Sequence, residues 1–143
     1  LVFKRSHPSS PAPAAPRAAA PRARKAAGDA AEARALQWLV ARGLEPVARN
    51  YRVARGPGAR GGEVDLIVRE RDGTLVFVEV RARADARHGG AAASIGAGKR
   101  QRIVFAAQHF LVRYGAAPPP CRFDVVSVEG DQVQWLPAAF DAS

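Results

Sequence analysis

Two short segments of this chain carry acids at positions where an ordinary buried strand would carry none. Glu63-Val-Asp-Leu-Ile-Val-Arg69 and Thr74-Leu-Val-Phe-Val-Glu-Val-Arg-Ala-Arg83 both read as strands. Side chains two apart on a strand share a face, so Glu63, Asp65 and Ile67 lie together, as do Leu75, Phe77, Glu79, Arg81 and Arg83. Val64, Leu66 and Val68, with Val76, Val78 and Val80, line the opposite faces. Both sides are therefore expected to be covered, and a covered acid is costly unless something occupies it. A third acid, Glu32, stands at the start of an apolar helical stripe continued by Leu36, Leu39 and Gly43. A helix laid over the strand face would bring Glu32 beside Asp65 and Glu79. Three carboxylates form a hard oxygen donor set of the kind Mg²⁺ or Mn²⁺ prefers. In phosphodiester hydrolysis such a metal stabilises charge on the phosphoryl oxygens and lowers the pKa of the attacking water. Arg81 would point at the same centre, where its forked donors suit a phosphate. Glu63 lies at the edge of its strand, so solvent exposure and a supporting catalytic role are both open. The competing reading for Asp65 or Glu79 is a cross-strand ion pair with Arg81 or Arg83.

The elements that must position these residues can be read from pattern and punctuation. Asp29, preceded by Gly28, makes a helix N-cap, and an Ala-rich amphipathic run reaches Arg42 before Gly43 stops it. A short extended stretch around Asn50–Val53 leads to Arg55-Gly-Pro-Gly-Ala-Arg-Gly-Gly62, a flexible basic loop containing Arg60. The two acid-bearing strands form a hairpin, since Asp72-Gly73 between them is a turn signal. Residues 84–97, rich in Gly and Ala and containing Asp85, His88 and Gly89-Gly90, read as a loop. Ile103, Ala107, Phe110, Leu111 and Tyr114 recur at helical spacing, which predicts a second helix from near Gly98 to Gly115. Phe123–Val128 and Gln132–Leu136 then form a second strand pair. The expected order is helix, hairpin, helix, hairpin, an α/β domain over residues 28–143 behind a disordered tail of residues 1–27.

Charge narrows the partner. The net charge of +9 suggests an anionic partner, nucleic acid first among them. Lys4, Arg5, Arg17, Arg22, Arg24 and Lys25 place +6 in the tail, and the rest holds 16 basic and 13 acidic residues, a net +3. Lys99, Arg100 and Arg102 open the second helix, where the helix dipole favours anions, so a phosphate there would resolve the conflict. A solvated basic face is the plainer alternative. Cys121 is the single cysteine, which excludes an intrachain disulfide and a cysteine-rich zinc cage and fits a reducing cytoplasm. No apolar run is long enough for a membrane span. His7, His88 and His109 lack metal-ligand spacing, and Trp38, Trp135 and the six phenylalanines read as core rather than as a base-stacking platform.

Gly28-Asp-x-x-Glu32, Gly62-Glu-Val-Asp-Leu-Ile67, Val76-Phe-Val-Glu-Val-Arg-Ala-Arg83, Gly89-Gly-Ala-Ala-Ala-Ser94, Lys99 and Cys121-Arg-Phe-Asp-Val-Val126 together resemble the YraN-like family of uncharacterised bacterial proteins. That family is similar to the PD-(D/E)xK nucleases and, in layout, to the archaeal Holliday-junction resolvases. The resemblance implies a restriction-endonuclease-like fold with a central mixed sheet flanked by helices. It implies Glu32, Asp65 and Glu79 as metal ligands for Mg²⁺ or Mn²⁺, DNA as substrate and, by analogy, a homodimer. Arg81 stands where the motif has lysine, and because arginine keeps its proton it can clamp phosphate or orient water but cannot act as a base. Val64 stands where the motif has proline, a backbone feature rather than a ligand. The expected activity is metal-dependent DNA endonuclease, with Arg60, Arg83, Lys99, Arg100 and Arg102 on the nucleic acid. The alternatives are a non-catalytic nucleic-acid-binding module on the same fold and an interaction domain whose acids form only structural ion pairs.

Overall fold

The computed structural model describes residues 21–82 and 95–142. Its elements are α1 (Pro21–Ala41), β1 (Glu45–Val53), β2 (Gly62–Arg69), β3 (Leu75–Ala82), α2 (Ala97–Leu111) with a 3₁₀ turn at Val112–Tyr114, β4 (Cys121–Glu129) and β5 (Gln132–Phe140). The strands form one sheet in the order β1-β2-β3-β4-β5. Neighbours are antiparallel except β3 and β4, which run parallel. A parallel pair cannot be closed by a tight turn, and the connection that carries α2 supplies the crossover. The architecture is the expected α/β one, a mixed sheet with a helix on each face, consistent with a restriction-endonuclease-like fold.

The two faces have separate cores. Leu66, Val68, Val76, Val78, Val126 and Val128 meet Ala31, Ala35 and Leu39 of α1. On the other side Ile67, Leu75, Phe77 and Phe123 meet Ile103, Ala106, Ala107 and Phe110 of α2. The alternation of β2 and β3 thus feeds both cores at once, and the central residues from Leu66 to Val68 and from Leu75 to Val78 are fully buried. Trp38 and Trp135 pack edge to face at 5.8 Å over the α1 core, as expected for core aromatics.

Three expectations are corrected. The helix begins at Pro21, not Asp29, so Gly28 lies inside it and residues 21–27 are helical although exposed. Proline is preorganised for the first helical turn, and the Ala, Arg and Lys that follow are strong helix formers, which together outweigh the N-cap signal of Asp29. The extended stretch at Asn50–Val53 is the end of a nine-residue edge strand, β1. Its half-exposed pattern and Pro46 hid it, as edge strands often lack clean alternation. The order is therefore helix, three antiparallel strands, helix, two strands. The third correction concerns coverage: α2, not α1, packs on the Ile67 and Phe77 face, which is also the face assigned to Asp65 and Glu79. The tail up to residue 20 and the loop at 83–94, with Arg83, Asp85, His88 and Gly89-Gly90, lie outside the described residues.

The Hairpin of β2 and β3 turns as expected at Asp72-Gly73. Thr74 donates its backbone N–H to Asp72 Oδ1 at 2.9 Å, and Gly73 takes φ 94°. Gly62 marks the closest approach of β2 to α2. A Cβ added there would lie 2.6 Å from the Ala106 nitrogen and 2.9 Å from the Arg102 carbonyl oxygen. Both are backbone atoms, so the helix would have to move.

These two glycines give opposite predictions. Gly28→Ala has open space around it and removes a glycine from a helix interior, so it should raise stability by about 1 kcal/mol. Gly62→Ala should lower stability by about 1–3 kcal/mol through overpacking. Urea unfolding of both variants tests the pair, and a neutral Gly28→Ala would place the helix start after residue 28.

Candidate functional site

The ladder between β2 and β3 runs from Arg69↔Leu75 to Leu66↔Val78 and ends there. The next two residues are Asp65 and Glu79. Asp65 fills the gap with its side chain: Oδ2 accepts the backbone N–H of Val80 at 2.8 Å, a hydrogen bond that the neighbouring strand would otherwise supply. Glu79 continues on β3, whose other edge is paired with β4 all the way from Leu75 to Ala82. The strands part where the two acids sit, and the sheet has a polar notch between its two apolar cores.

Both acids are almost fully removed from solvent, Asp65 at 8% exposure and Glu79 at 4%. Burial is the main reason that both hold their protons more tightly than free carboxyls. The Asp65 charge adds to the effect on Glu79, whose pKa is pushed up to about 8. The two side chains are hydrogen-bonded to each other, which raises Glu79 and lowers Asp65. Glu79 Oε2 is buried and has no hydrogen-bond partner.

Glu32 approaches from α1. Its pKa is raised first by burial and then by the Asp65 charge, while a hydrogen bond from the Asn50 side chain opposes the rise. Glu32 Oε2 is also buried without a partner. Asn50 falls opposite Asp65, between the pairs Arg49↔Leu66 and Tyr51↔Val64. Its φ of 49° is a left-handed conformation that asparagine tolerates better than most residues. Asn50 is therefore a site residue that sequence reasoning missed, and a lone asparagine in a short extended stretch offered no signal for it.

Lys99 comes from the other side. Its Nζ lies 3.7 Å from Glu79 Oε1 and 3.8 Å from Glu63 Oε1. It stands beside the acids, where it partly offsets the burial of both Asp65 and Glu79. Glu63 is the hub of a half-exposed ionic cluster, 3.6 Å from Arg52 Nε and 3.9 Å from Arg102 as well as near Lys99. Arg81 is half-buried, and its charge favours the ionised form of Glu79. Arg60 and Arg100 are exposed, the latter donating Nε to the Ile95 carbonyl at 3.0 Å. Arg83 lies outside the described residues. The structure thus brings Asp65, Glu79, Lys99 and Glu63 to one centre, with Glu32 reaching it from the opposite helix.

A third buried acid shows the contrast. Asp124 is fully enclosed, and its oxygens accept from Arg122 Nε at 3.0 Å, Trp135 Nε1 at 2.8 Å and the Ala138 N–H at 2.9 Å. Arg122 in turn pairs with Glu70 at 2.9 Å. Asp124 is a satisfied structural acid that ties β4 to β5. Asp65 and Glu79 have no such set of donors.

The fit of a divalent cation rests on that difference. Oxygen donors, two of them buried without partners, suit a hard cation. Asp65 and Glu79 are the pair placed to hold it. Among the described residues no three acids are gathered tightly enough to form a ready-made cage.

A model of the uncharacterised protein family UPF0102 matches residues 31–128, a span that contains Glu32, Asp65, Glu79, Lys99 and Asp124. The chain belongs to this family. The UPF0102 protein of Methylibium petroleiphilum is 64% identical over 119 residues, covering 83% of this chain and 97% of that one. That of Paracidovorax citrulli is 67% identical over 118 residues, covering 82% and 84%. That of Cupriavidus taiwanensis is 56% identical over 119 residues, covering 83% and 86%. The YraN-like resemblance carried by the motifs is to this UPF0102 family. Among the described residues no helix is long and apolar enough to cross a membrane.

The raised carboxyls set a pH dependence. Between the ordinary glutamic acid value of 4.5 and about 8, the folded chain holds on Glu79 a proton that the unfolded chain releases. Stability therefore falls as pH rises through that window and levels off above it. The thermal midpoint of the wild type should drop by several degrees from pH 5 to pH 8, and Glu79→Gln should flatten the profile. An equally steep profile in the variant would assign the dependence to other groups.

Proposed function

We propose that this protein is a metal-dependent endonuclease acting on DNA. The observation that carries the reading is the buried Asp65–Glu79 pair where β2 and β3 separate, with the Lys99 ammonium beside it. Structural acids are given donors, as Asp124 is. Acids left short of donors in a notch with basic side chains around it are suited to a cation and a phosphate. Mg²⁺ or Mn²⁺ bound there supplies charge stabilisation at the phosphoryl oxygens and a more acidic water.

The chain's own residues would divide the remaining work. Asp65 is fixed by the Val80 N–H and presents its other oxygen, so its geometry is preset. Glu79 must give up its proton when the cation enters, and Lys99 favours that ionisation. Glu32, with a free buried oxygen, can accept a hydrogen bond from a water on the α1 side. Arg81 follows Glu79 by two residues and would hold the phosphate as a permanent cation. Glu63 orders Lys99, Arg102 and Arg52, a positioning role rather than a catalytic one.

Two observations favour a second reading, a nucleic-acid-binding module without turnover. Among the described residues the acids do not form a three-membered cage, and arginine stands at the motif lysine position. The assay that separates the two uses labelled duplex, single-stranded, flapped and four-way-junction DNA with Mg²⁺, Mn²⁺ or chelator. Metal-dependent cleavage should be seen in the wild type and be lost by at least about 100-fold in Glu79→Ala, the scale of losing a group essential to the transition state. Binding without cleavage in every metal would leave the binding module.

A further inference from the structure

Two cavities lie along the outer side of α2, one of about 390 Å³ and one of about 460 Å³. Both fall in the range of roughly 300–1,000 Å³ that holds small ligands. They share three lining residues, Arg55, Gln101 and Phe105, so they form one groove with Phe105 at its waist. The smaller end is lined by Arg60, Lys99 and Arg102. Lys99 and Arg102 also touch the acid cluster, through Glu79 and Glu63, so that end of the groove opens onto the candidate site. Arg102 Nε is buried there without a hydrogen-bond partner.

Phe105 departs from the expectation that the phenylalanines are core. Phe77, Phe110 and Phe123 are core and stack on one another. Phe105 is half-buried, its ring edge seated against Gly62, and the Arg55 guanidinium lies 4.7 Å over its ring. An aromatic ring capped by an exposed guanidinium is a surface on which a nucleobase stacks, since both present planar faces. A base inside a duplex already has both faces covered by its neighbours. Only an unpaired base can enter. Gln101, exposed beside Phe105 in both cavities, carries a donor and an acceptor for a base edge.

We propose that the groove around Phe105 binds unpaired nucleotides of a nucleic-acid strand, with a base stacked at Phe105 and Arg55 and the adjoining phosphate at Arg60, Lys99 and Arg102. The inference rests on the reading of the protein as one that acts on nucleic acid, and it names the substrate class: strands with a single-stranded segment at the site. The strand would run along α2 and reach the acids at the Lys99 end. A continuous duplex would use the phosphate contacts alone.

The test is fluorescence anisotropy of the full chain in chelator, so that nothing is cleaved, with oligonucleotides of equal length as single-stranded DNA, single-stranded RNA and blunt duplex DNA. The wild type should bind a single strand of DNA or RNA at least about 10-fold more tightly than duplex. Phe105→Leu should lose about 5- to 100-fold of single-strand affinity, the scale of one stacked base, with duplex affinity unchanged within about twofold. Arg55→Gln alters an exposed side chain and should weaken single strands in the same sense, which decides the matter if Phe105→Leu fails to fold. Duplex bound as well as single strands, or both variants binding single strands like the wild type, would overturn the proposal. Because no metal is present, the outcome is independent of hydrolysis: a preference for single strands without cleavage elsewhere would sink only the nuclease reading, and cleavage of duplex without this preference only the groove.

Discussion

A hydrogen bond from the Val80 N–H to Asp65 holds the candidate site in its present form, because it stands where a rung of the β2–β3 ladder should be. A buried backbone N–H must be satisfied. By meeting that need with a carboxylate, the sheet lets β3 part from β2 without an orphaned donor on that edge, while its other edge stays paired with β4. Glu79 lies beside Asp65, and burial together with the Asp65 charge raises its pKa. The notch and the raised pKa of Glu79 meet where a side chain takes the place of a backbone partner.

Stability and function pull in opposite directions at this notch. Apolar residues pack tightly on either side of it, from Leu39 and Leu66 on one face to Phe77 and Phe110 on the other. The acids interrupt both cores and leave two carboxylate oxygens buried without partners. Asp124 shows that the fold can satisfy a buried acid completely when the acid is structural, with an indole, a guanidinium and a backbone N–H. Unsatisfied polar groups cost free energy, and they persist in folded proteins where the site is meant to take something else.

The cations are arranged in two ranks around this notch. Lys99 touches the acids directly and Arg102 meets them through Glu63, while Arg55, Arg60 and Arg100 lie farther out along α2. The inner rank lowers the cost of charge at the site. The outer rank extends a positive field along the groove, where an anionic strand would be drawn toward the acids. This arrangement follows from the close approach of β2 to α2 at Gly62, which sets the first turns of the helix beside the loop that carries Arg55 and Arg60.

Much of the site was legible in the sequence because strand patterning is local: it singled out Asp65 and Glu79 on adjoining strands and marked the turn at Asp72-Gly73, although Val64, expected opposite Ile67, packs with it against α2, so the alternation breaks around Asp65. The helical periods of α1 and α2 were equally plain, and the α/β class followed. The sequence did not reveal which helix covers which face, because both faces of β2 and β3 are apolar and each would accept either helix. That choice is made by the crossover from β3 to β4, a long-range pairing. It set Lys99 beside the acids, brought Asn50 to Glu32 from an edge strand without clean alternation, and left Phe105 half-buried while Phe110 went to the core. Alternation and helical spacing determine what a residue's own strand or helix does with it; the partners it meets across the sheet depend on packing between elements far apart in the chain, and only the tertiary structure decided those.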